Sequence, residues 1–332
     1  MTRILSIRAA MLVFAAVAIA GCQSMITGNE GNLEFSYRAD DEVRDFNKPI
    51  AVGAKLDLEV RTNGTRQTVE LLEATTEDPS VLKVAGKLGN KLTLEGVGDG
   101  TTDVSVEAKT KTGETVSDWI TMRARKPNVL KARHTCSQEA EGFYLVGHDI
   151  VVGFDLRYEQ GSVKEPVIGY GYYPFTVQPA AALTLDQVSK DQQRFHFKTA
   201  ATAQTATLTS TIDATTLSFR IFEEGAIDGA SFDTDVGHKV LVATDGLFQV
   251  VPTIAGKPVC QGRAAMSVEV LTAEVCGVEN TLATGEDAAS ENRWIKVNGK
   301  TVGTCNFTVT FPKGAGGAGA TAQLSVEVVD TH

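Results

Sequence analysis

Val52-Gly53-Ala54-Lys55-Leu56-Asp57-Leu58 is a short phrase that the chain writes more than once. It returns as Val146-Gly147-His148-Asp149-Ile150-Val151-Val152 and again as Val236-Gly237-His238-Lys239-Val240-Leu241-Val242. A Val-Gly pair opens a run with an apolar residue at every second position, which is strand periodicity launched from a glycine turn. The copies start 94 and then 90 residues apart, about the length of one two-sheet β-sandwich. The phrase therefore divides the chain into three similar β-domains, expected over residues 32–126, 127–224 and 225–332.

Composition agrees. The chain has 332 residues, too many for one typical core. Short alternating runs separated by Gly, Asn and Asp predict an all-β fold. The formal net charge is −10, which works against binding nucleic acid or anionic lipid faces.

The first residues read as an address. Arg3 and Arg8 flank an apolar run from Ala9 to Ala20, of signal-peptide length and too short to span a bilayer as a helix. It ends in Ile19-Ala20-Gly21-Cys22, which resembles the bacterial lipobox. The resemblance implies a signal peptide over 1–21, lipidation of Cys22 and a membrane anchor of acyl chains. Two or more chains are needed for stable anchoring. Gln23, not Asp, follows the cysteine, which leans the expected location to the outer membrane. Residues 22–31, with Ser24, Gly28, Asn29 and Gly31, read as the lipidated cysteine and a flexible tether.

In the first domain, Asp78-Pro79-Ser80-Val81-Leu82-Lys83-Val84 precedes Gly98-Asp99-Gly100-Thr101-Thr102-Asp103-Val104-Ser105-Val106. These stretches resemble the bacterial Ig-like group 2 domain, with its "dPsVatV" and "G.a.ItV" strands, over roughly Pro49 to Arg125. The resemblance implies an immunoglobulin-like sandwich and an adhesion or surface setting. The tryptophan that the family commonly carries before its first segment is missing here. Trp119, on the last strand, is expected to pack in the core, against a binding platform as the alternative.

Domain three echoes domain one. Val275-Cys276-Gly277-Val278 aligns on Val81 to Val84, and the stretch Ile295 to Val309 aligns without a gap on Leu92 to Val106. With Cys22 assigned to lipid, Cys136, Cys260, Cys276 and Cys305 remain, and two disulfides are the default for an oxidising compartment. Spacing alone does not choose among three pairings. The internal alignment does. Cys276 takes the place of Leu82 and Cys305 that of Thr102, each on the core side of its strand, which predicts a Cys276–Cys305 bridge. The remaining pair, Cys136 with Cys260, would tie domain two to domain three.

No phosphate loop, His-Glu-x-x-His, Gly-x-Ser-x-Gly or Cys-x-x-Cys motif occurs. The five histidines are scattered; His148 and His238 share the repeat slot of Ala54 and are read as surface residues. His134, beside Thr135 and Ser137, has nothing in sequence to activate a nucleophile. No catalytic residue, cofactor or metal is assigned. Glu223, Glu224, Asp228, Asp233 and Asp235 form an acidic hinge, where calcium is weighed against a solvated linker. Tyr170, Tyr172, Tyr173 and Phe175 are the candidate ligand face, since aromatic rings stack on sugars, against packing as the alternative. The expected function is a non-enzymatic, lipid-anchored envelope protein, structural or adhesive, with an unidentified protein or polysaccharide partner. The competing expectation is a carbohydrate-binding accessory lipoprotein using that cluster.

Overall fold

The computed structural model describes residues 23–38, 48–186, 190, 194–232, 237–260, 265–281, 293–311 and 319–330. Cys22 and the leader lie outside them, as do Asp233 and Asp235 of the acidic hinge. The first sandwich is built from β1 (Gln23–Thr27), β2 (Leu33–Arg38), β3 (Ile50–Ala51), β4 (Lys55–Thr62), β5 (Glu70–Thr76), β6 (Leu82–Leu88), β7 (Lys91–Gly96), β8 (Gly100–Lys109) and β9 (Thr115–Arg125). The second holds β10 (Val129–His134), β11 (Glu141–Leu145), β12 (Asp149–Gln160), β13 (Val163–Pro166), β14 (Phe175–Gln178), β15 (Leu183–Leu185), β16 (Arg194–Thr199), β17 (Gln204–Ser210) and β18 (Thr216–Phe222). The third holds β19 (Gly229–Phe232), β20 (Lys239–Leu241), β21 (Asp245–Ile254), β22 (Lys257–Pro258), β23 (Ser267–Val270), β24 (Cys276–Thr281), β25 (Arg293–Gly299), β26 (Gly303–Phe311) and β27 (Ala320–Val329).

One plan is used three times. The sheets are β1-β2-β4-β7-β6 against β3-β9-β8-β5, then β10-β12-β16-β15 against β11-β18-β17-β14, then β19-β21-β25-β24 against β20-β27-β26-β23. In each sandwich a short strand (β3, β11 or β20) runs parallel to the last strand of its domain, while most other neighbours are antiparallel. This is an immunoglobulin-like β-sandwich, present in tandem. The cores follow strand parity. Leu56, Leu58 and Val60 of β4 face Val104, Val106 and Ile120 across the first core, and Phe195 and Phe197 of β16 point inward while His196 does not.

The repeat phrase has a conformational cause, and the structure moves its third copy. After β3, the N–H of Val52 donates to Arg125 O, Gly53 N–H to Gly96 O and Ala54 N–H to Ala51 O. After β11, Val146 N–H donates to Phe222 O and Gly147 N–H to Ala200 O. In the third sandwich the same bonds are made by Val242, to Val329 O, by Ala243, to Gly299 O, and by Thr244, to Leu241 O. The counterpart is thus Val242-Ala243-Thr244-Asp245, six residues beyond Val236-Gly237. The turn needs a residue with positive φ after the valine. Gly53 (φ 94°), Gly147 (φ 68°) and Ala243 (φ 60°) supply it. An alanine there costs about 1 kcal/mol of backbone strain and hides the repeat from a search for Val-Gly. His148 consequently matches Thr244 rather than His238. It is also not a free surface group, since its Nε2 lies 3.4 Å from a Glu224 carboxylate oxygen.

Two further expectations are corrected. Residues 23–31 are not a loose tether. β1 pairs with β2 from Gln23↔Arg38 to Thr27↔Glu34. The turn between them is held by the carboxylate of Asp118 on β9, which is buried and accepts the N–H groups of Glu30 (2.8 Å), Asn32 (2.8 Å) and Leu33 (2.9 Å). Gly, Asn and Ser in that stretch are turn residues of a hairpin, not linker residues. Trp119 does not pack in the core either. Asp118, Ile120, Met122 and Ala124 take the inward positions of β9, and Trp119 is half-buried on the outer face.

Candidate functional site

The candidate ligand face resolves into a joint between domains. After β13 the chain leaves the second sandwich and runs along the first. Val167 N–H still donates to Leu156 O of its own domain, at 3.0 Å. The next residue crosses: Ile168 N–H donates to Pro49 O (3.0 Å) and Ala51 N–H donates to Ile168 O (2.8 Å). Lys55 and Tyr170 then exchange both backbone bonds at 2.8 Å. The Ile168 side chain is buried in the core of the first sandwich. Gly169 (φ 124°) permits the close approach, because a Cβ there would meet the Ala54 Cβ at 2.7 Å.

The tyrosines serve this joint. Tyr172 lies over Gly53, where an added Cβ would stand 3.0 Å from the ring, and it packs with Ala51, Ala54 and Val167. The Tyr170 hydroxyl donates to Asp57 Oδ1 at 2.8 Å. Lys190 reaches Asp57 Oδ2 at 2.6 Å, with its ammonium 4.9 Å from the Tyr170 ring centre. Tyr173 and Phe175 face the other way, into the second core, where they meet Phe195 at ring-centre distances of 5.3 and 5.6 Å. The four rings named from sequence are therefore divided between a domain joint and a core, all of them half-buried. At Asp57 partial burial works to raise the pKa, but hydrogen bonds from Lys190, Thr93 and Tyr170 overcome it and hold the carboxyl below its ordinary range. Partial burial, and then the Asp57 carboxylate, push the Tyr170 phenol up against the opposing pull of Lys190. The bond to Asp57 raises the Lys190 ammonium despite some desolvation.

A second joint repeats the first. After β22, Val259 N–H donates to Pro252 O (2.8 Å), and Cys260 N–H donates to Phe143 O (2.7 Å) of the second sandwich. Leu156 and Pro252 each stand seven residues past the starts of β12 and β21. Pro258-Val259-Cys260 is thus the counterpart of Pro166-Val167-Ile168, and Cys260 sits in the slot of Ile168. Its side chain is buried in the core of the second sandwich. It is bonded to Cys136, with the Cα atoms 5.4 Å apart. Phe143 and Leu145 pack in turn with the third core, and Phe143 meets Phe222 at 5.0 Å. Sequence reasoning passed over the Pro-Val pair at 166 and 258, although it recurs after 92 residues, close to the period of the phrase.

The charges at the two joints are exchanged. Glu165 in joint one lies 2.9 Å from Arg123 and 3.4 Å from Arg125, both near the end of β9. Lys257 holds the same place in joint two, 3.6 Å from Glu139 and 5.5 Å from the centre of the Phe143 ring. Within the third sandwich, Cys276 and Cys305 are bonded across the core, with the Cα atoms 5.6 Å apart.

The remaining candidates have partners of their own. Asp228 accepts from Thr253 Oγ1 (3.2 Å) and Ala255 N–H (2.6 Å), Glu223 from Ala203 N–H (3.2 Å), and Glu224 faces His148. These acids point to separate places, and among the described residues no His, Cys, Asp and Glu converge as metal ligands do. His134 is buried, its Nδ1 2.7 Å from the Tyr144 hydroxyl and its ring edge-on to Phe219. Burial pulls its imidazole below the ordinary range and pushes the Tyr144 phenol up. A shallow depression lined by Met25, Glu34, Ser36, Arg61 and Arg66 has a volume of about 30 Å³, room for one water. No described helix is long and apolar enough to cross a membrane.

No protein-family model matches the sequence, and no curated protein matches it. Among solved structures the chain is similar to a mixed-linkage glucan utilization locus protein of Bacteroides ovatus, SGBP-B, in complex with a mixed-linkage heptasaccharide. That match has 9% identity, covers 88% of this chain and 68% of that one, and has a TM-score of 0.29. It is similar to the Escherichia coli adhesin FdeC, with 13% identity over 85% of this chain and 94% of that one, TM-score 0.24. It is also similar to invasin, a bacterial integrin-binding protein, with 12% identity over 86% of this chain and 58% of that one, TM-score 0.22.

Proposed function

We propose that this chain is a non-enzymatic protein of the cell envelope, anchored by lipid at Cys22, in which three sandwiches held in fixed series form a binding or adhesion module. The observation that carries the reading is the joint made twice. Each following domain adds a strand segment to the one before and lends it a core side chain, Ile168 or Cys260. Such joints suppress hinge motion, and a stiff series suits a spacer that carries one contact surface at a set distance from another. The likeness of residues 49–125 to Ig-like group 2 domains supports the same setting, as analogy.

The N-terminal hairpin sharpens the anchor geometry. Cys22 directly precedes Gln23, the first residue of β1, so an acylated Cys22 leaves no spacer between bilayer and fold. Gln23 pairs with Arg38, at the end of β2 away from the Leu33↔Thr62 pair. The acyl chains would thus leave from the flank of the first sandwich, near its joint with the second. Met25 and Ile26 are exposed on that strand. The first sandwich would rest against the membrane, with the third sandwich as the part presented.

Growing cells with labelled palmitate tests the anchor. Label is expected on the wild type and lost in Cys22→Ala, with release of the variant from the membrane fraction. Label retained in Cys22→Ala defeats this part of the reading. A glycan array tests the carbohydrate alternative. Because Tyr170 and Tyr172 serve the joint, Tyr172→Ala is expected to loosen it without abolishing a specific glycan signal; a signal that vanishes with the domains still docked would restore the aromatic cluster as a ligand face.

A further inference from the structure

We propose that the far pole of the third sandwich is a docking surface for a further immunoglobulin-like domain, received by the joint that this chain makes twice within itself. The argument begins with the plan of the joint. In each domain the short strand β3, β11 or β20 bonds the last strand along one edge. Its other edge lies beside the point where the chain leaves the domain, since Val52, Val146 and Val242 each donate to the final residue of β9, β18 or β27. In the first sandwich that edge receives Ile168, and in the second it receives Cys260. In the third sandwich β20 is the edge strand of its sheet, and among the described residues no strand pairs with its outer side.

Burial at matching positions gives the second observation. The last residue of the short strand is Ala51 in the first domain (0% exposed) and Leu145 in the second (1%), but Leu241 in the third (42%). Two residues into the next strand stand Asp57, bound by Tyr170 and Lys190 of the second domain, and then Leu247, 61% exposed. Leu271, at the end of β23, is 48% exposed, and Val302, just before β26, is 61% exposed; the first sandwich has Glu77 and Asp99 at these two positions. β23 ends, and β26 begins, at this same pole. Four of the ten large exposed hydrophobic residues described in the molecule therefore gather where a following domain would dock. Leucine and valine gathered in the open, at positions where the counterparts in the first sandwich are covered or acidic, mark an interaction surface.

The occupant follows from the two joints already filled. Each is entered by a Pro-Val-apolar segment that follows a β-hairpin of a sandwich domain, laid parallel to the short strand. The partner predicted for β20 brings such a segment, with an N–H for the Lys239 carbonyl, a C=O for the Leu241 N–H (the matching groups of Pro49 and Ala51 serve Ile168 in joint one) and an apolar side chain for Leu247. A second copy of this chain is a poor source. Its two segments of this kind are already used in its own joints. The matching hairpin of the first sandwich, Thr62 to Thr68, is wholly polar, and Val69 beyond it is buried in its own core.

The test uses the full chain and a cyclised hairpin peptide with the sequence of residues 155–170, which carries Pro166-Val167-Ile168. Wild-type protein is expected to bind the peptide with a dissociation constant below about 1 mM and to gain amide-exchange protection at Leu241. Leu247→Glu, a change at an exposed position that leaves the melting temperature unchanged, is expected to weaken binding at least about tenfold. A peptide carrying Ile168→Asp is expected to weaken it similarly. No binding up to about 1 mM, or binding indifferent to both changes, overturns the proposal. Sedimentation showing self-association that Leu247→Glu abolishes overturns the choice of partner in favour of a second copy.

Discussion

The two joints share a backbone plan and differ in what fastens them. Joint one is polar at its rim. Glu165 sits between Arg123 and Arg125, Asp57 collects Tyr170 and Lys190, and Ile168, Val167 and Tyr172 are its apolar anchors. Joint two is apolar and covalent. Phe143, Phe222 and Leu145 fill the space, Arg220 stands over both phenylalanine rings at 5.3 Å, and Cys260 is bonded to Cys136 in the position where Ile168 merely packs. The same hairpin exit thus serves a joint fastened by ionisable groups and one fastened by a disulfide. The lesson is that the strand pairing sets where domains meet, while the residue in one slot sets how firmly.

The largest effect is expected at the covalent joint. The bond closes a sequence separation of 124 residues, so replacing Cys136 and Cys260 with serine should cost about 4–5 kcal/mol in denaturant unfolding under the chain-entropy model. The Cys276–Cys305 bond, with a separation of 29, should cost about 3.5 kcal/mol. A loss below about 1 kcal/mol for the first pair would show that the apolar contacts alone hold joint two. Ile168→Ala comes next, at about 2–4 kcal/mol, for a buried isoleucine truncated without collapse of the site. Its signature is location. The residue belongs to the second domain by sequence, yet amide exchange should show the first domain losing protection. If protection falls only in the second domain, Ile168 is not a shared core residue.

Much of the fold was legible because strand parity and turn chemistry are local. The alignment of Leu92–Val106 on Ile295–Val309 put Cys305 in the inward slot of Thr102, and parity is preserved wherever two strands keep one register. The misses have local causes too. Asp118 is invisible as a core residue in sequence because three of the four N–H donors that hold its buried carboxylate lie more than eighty positions away. Trp119 stands one residue out of phase with the inward positions Asp118 and Ile120, so a core role read from its ring conflicts with strand parity. The third phrase was sought by its glycine, whereas the turn requires a sign of φ that Ala243 also adopts. The tyrosine cluster was rightly noticed as unusual, but a single sequence does not distinguish an aromatic ligand face from a domain joint. Both put half-buried rings beside glycine.

A third change tests the exchanged charges. Glu165→Lys copies Lys257 into joint one, where it meets Arg123 and Arg125 instead of a glutamate. All three side chains are less than about a third exposed, so the cost should be about 2 kcal/mol, against roughly 1 kcal/mol for Glu165→Ala. If the lysine is no worse than the alanine, the charges at joint one are too well solvated to distinguish the joints. Double substitution with Arg123→Glu should recover part of the loss, as a measure of coupling between the two positions.

The smallest effect is the pH response of joint one. The docked Asp57 has its pKa held below the ordinary value of 3.8, so it contributes stability that is fully present above that value and is lost as pH falls through the lowered one. Lys190 is 63% exposed, and solvent screening limits the contribution to about 1 kcal/mol or less. The protection factors of the Lys55 and Tyr170 amides, taken against the intrinsic exchange rate and followed between about pH 6 and 2, should therefore fall at the acid end. Asp57→Asn should flatten the profile, because the amide still accepts from Tyr170 but has no charge to lose. The amides at joint two supply the internal control, since Val259 and Cys260 are held beside a bond that does not titrate. An acid loss of equal size at both joints would assign the effect to the sandwiches and not to Asp57.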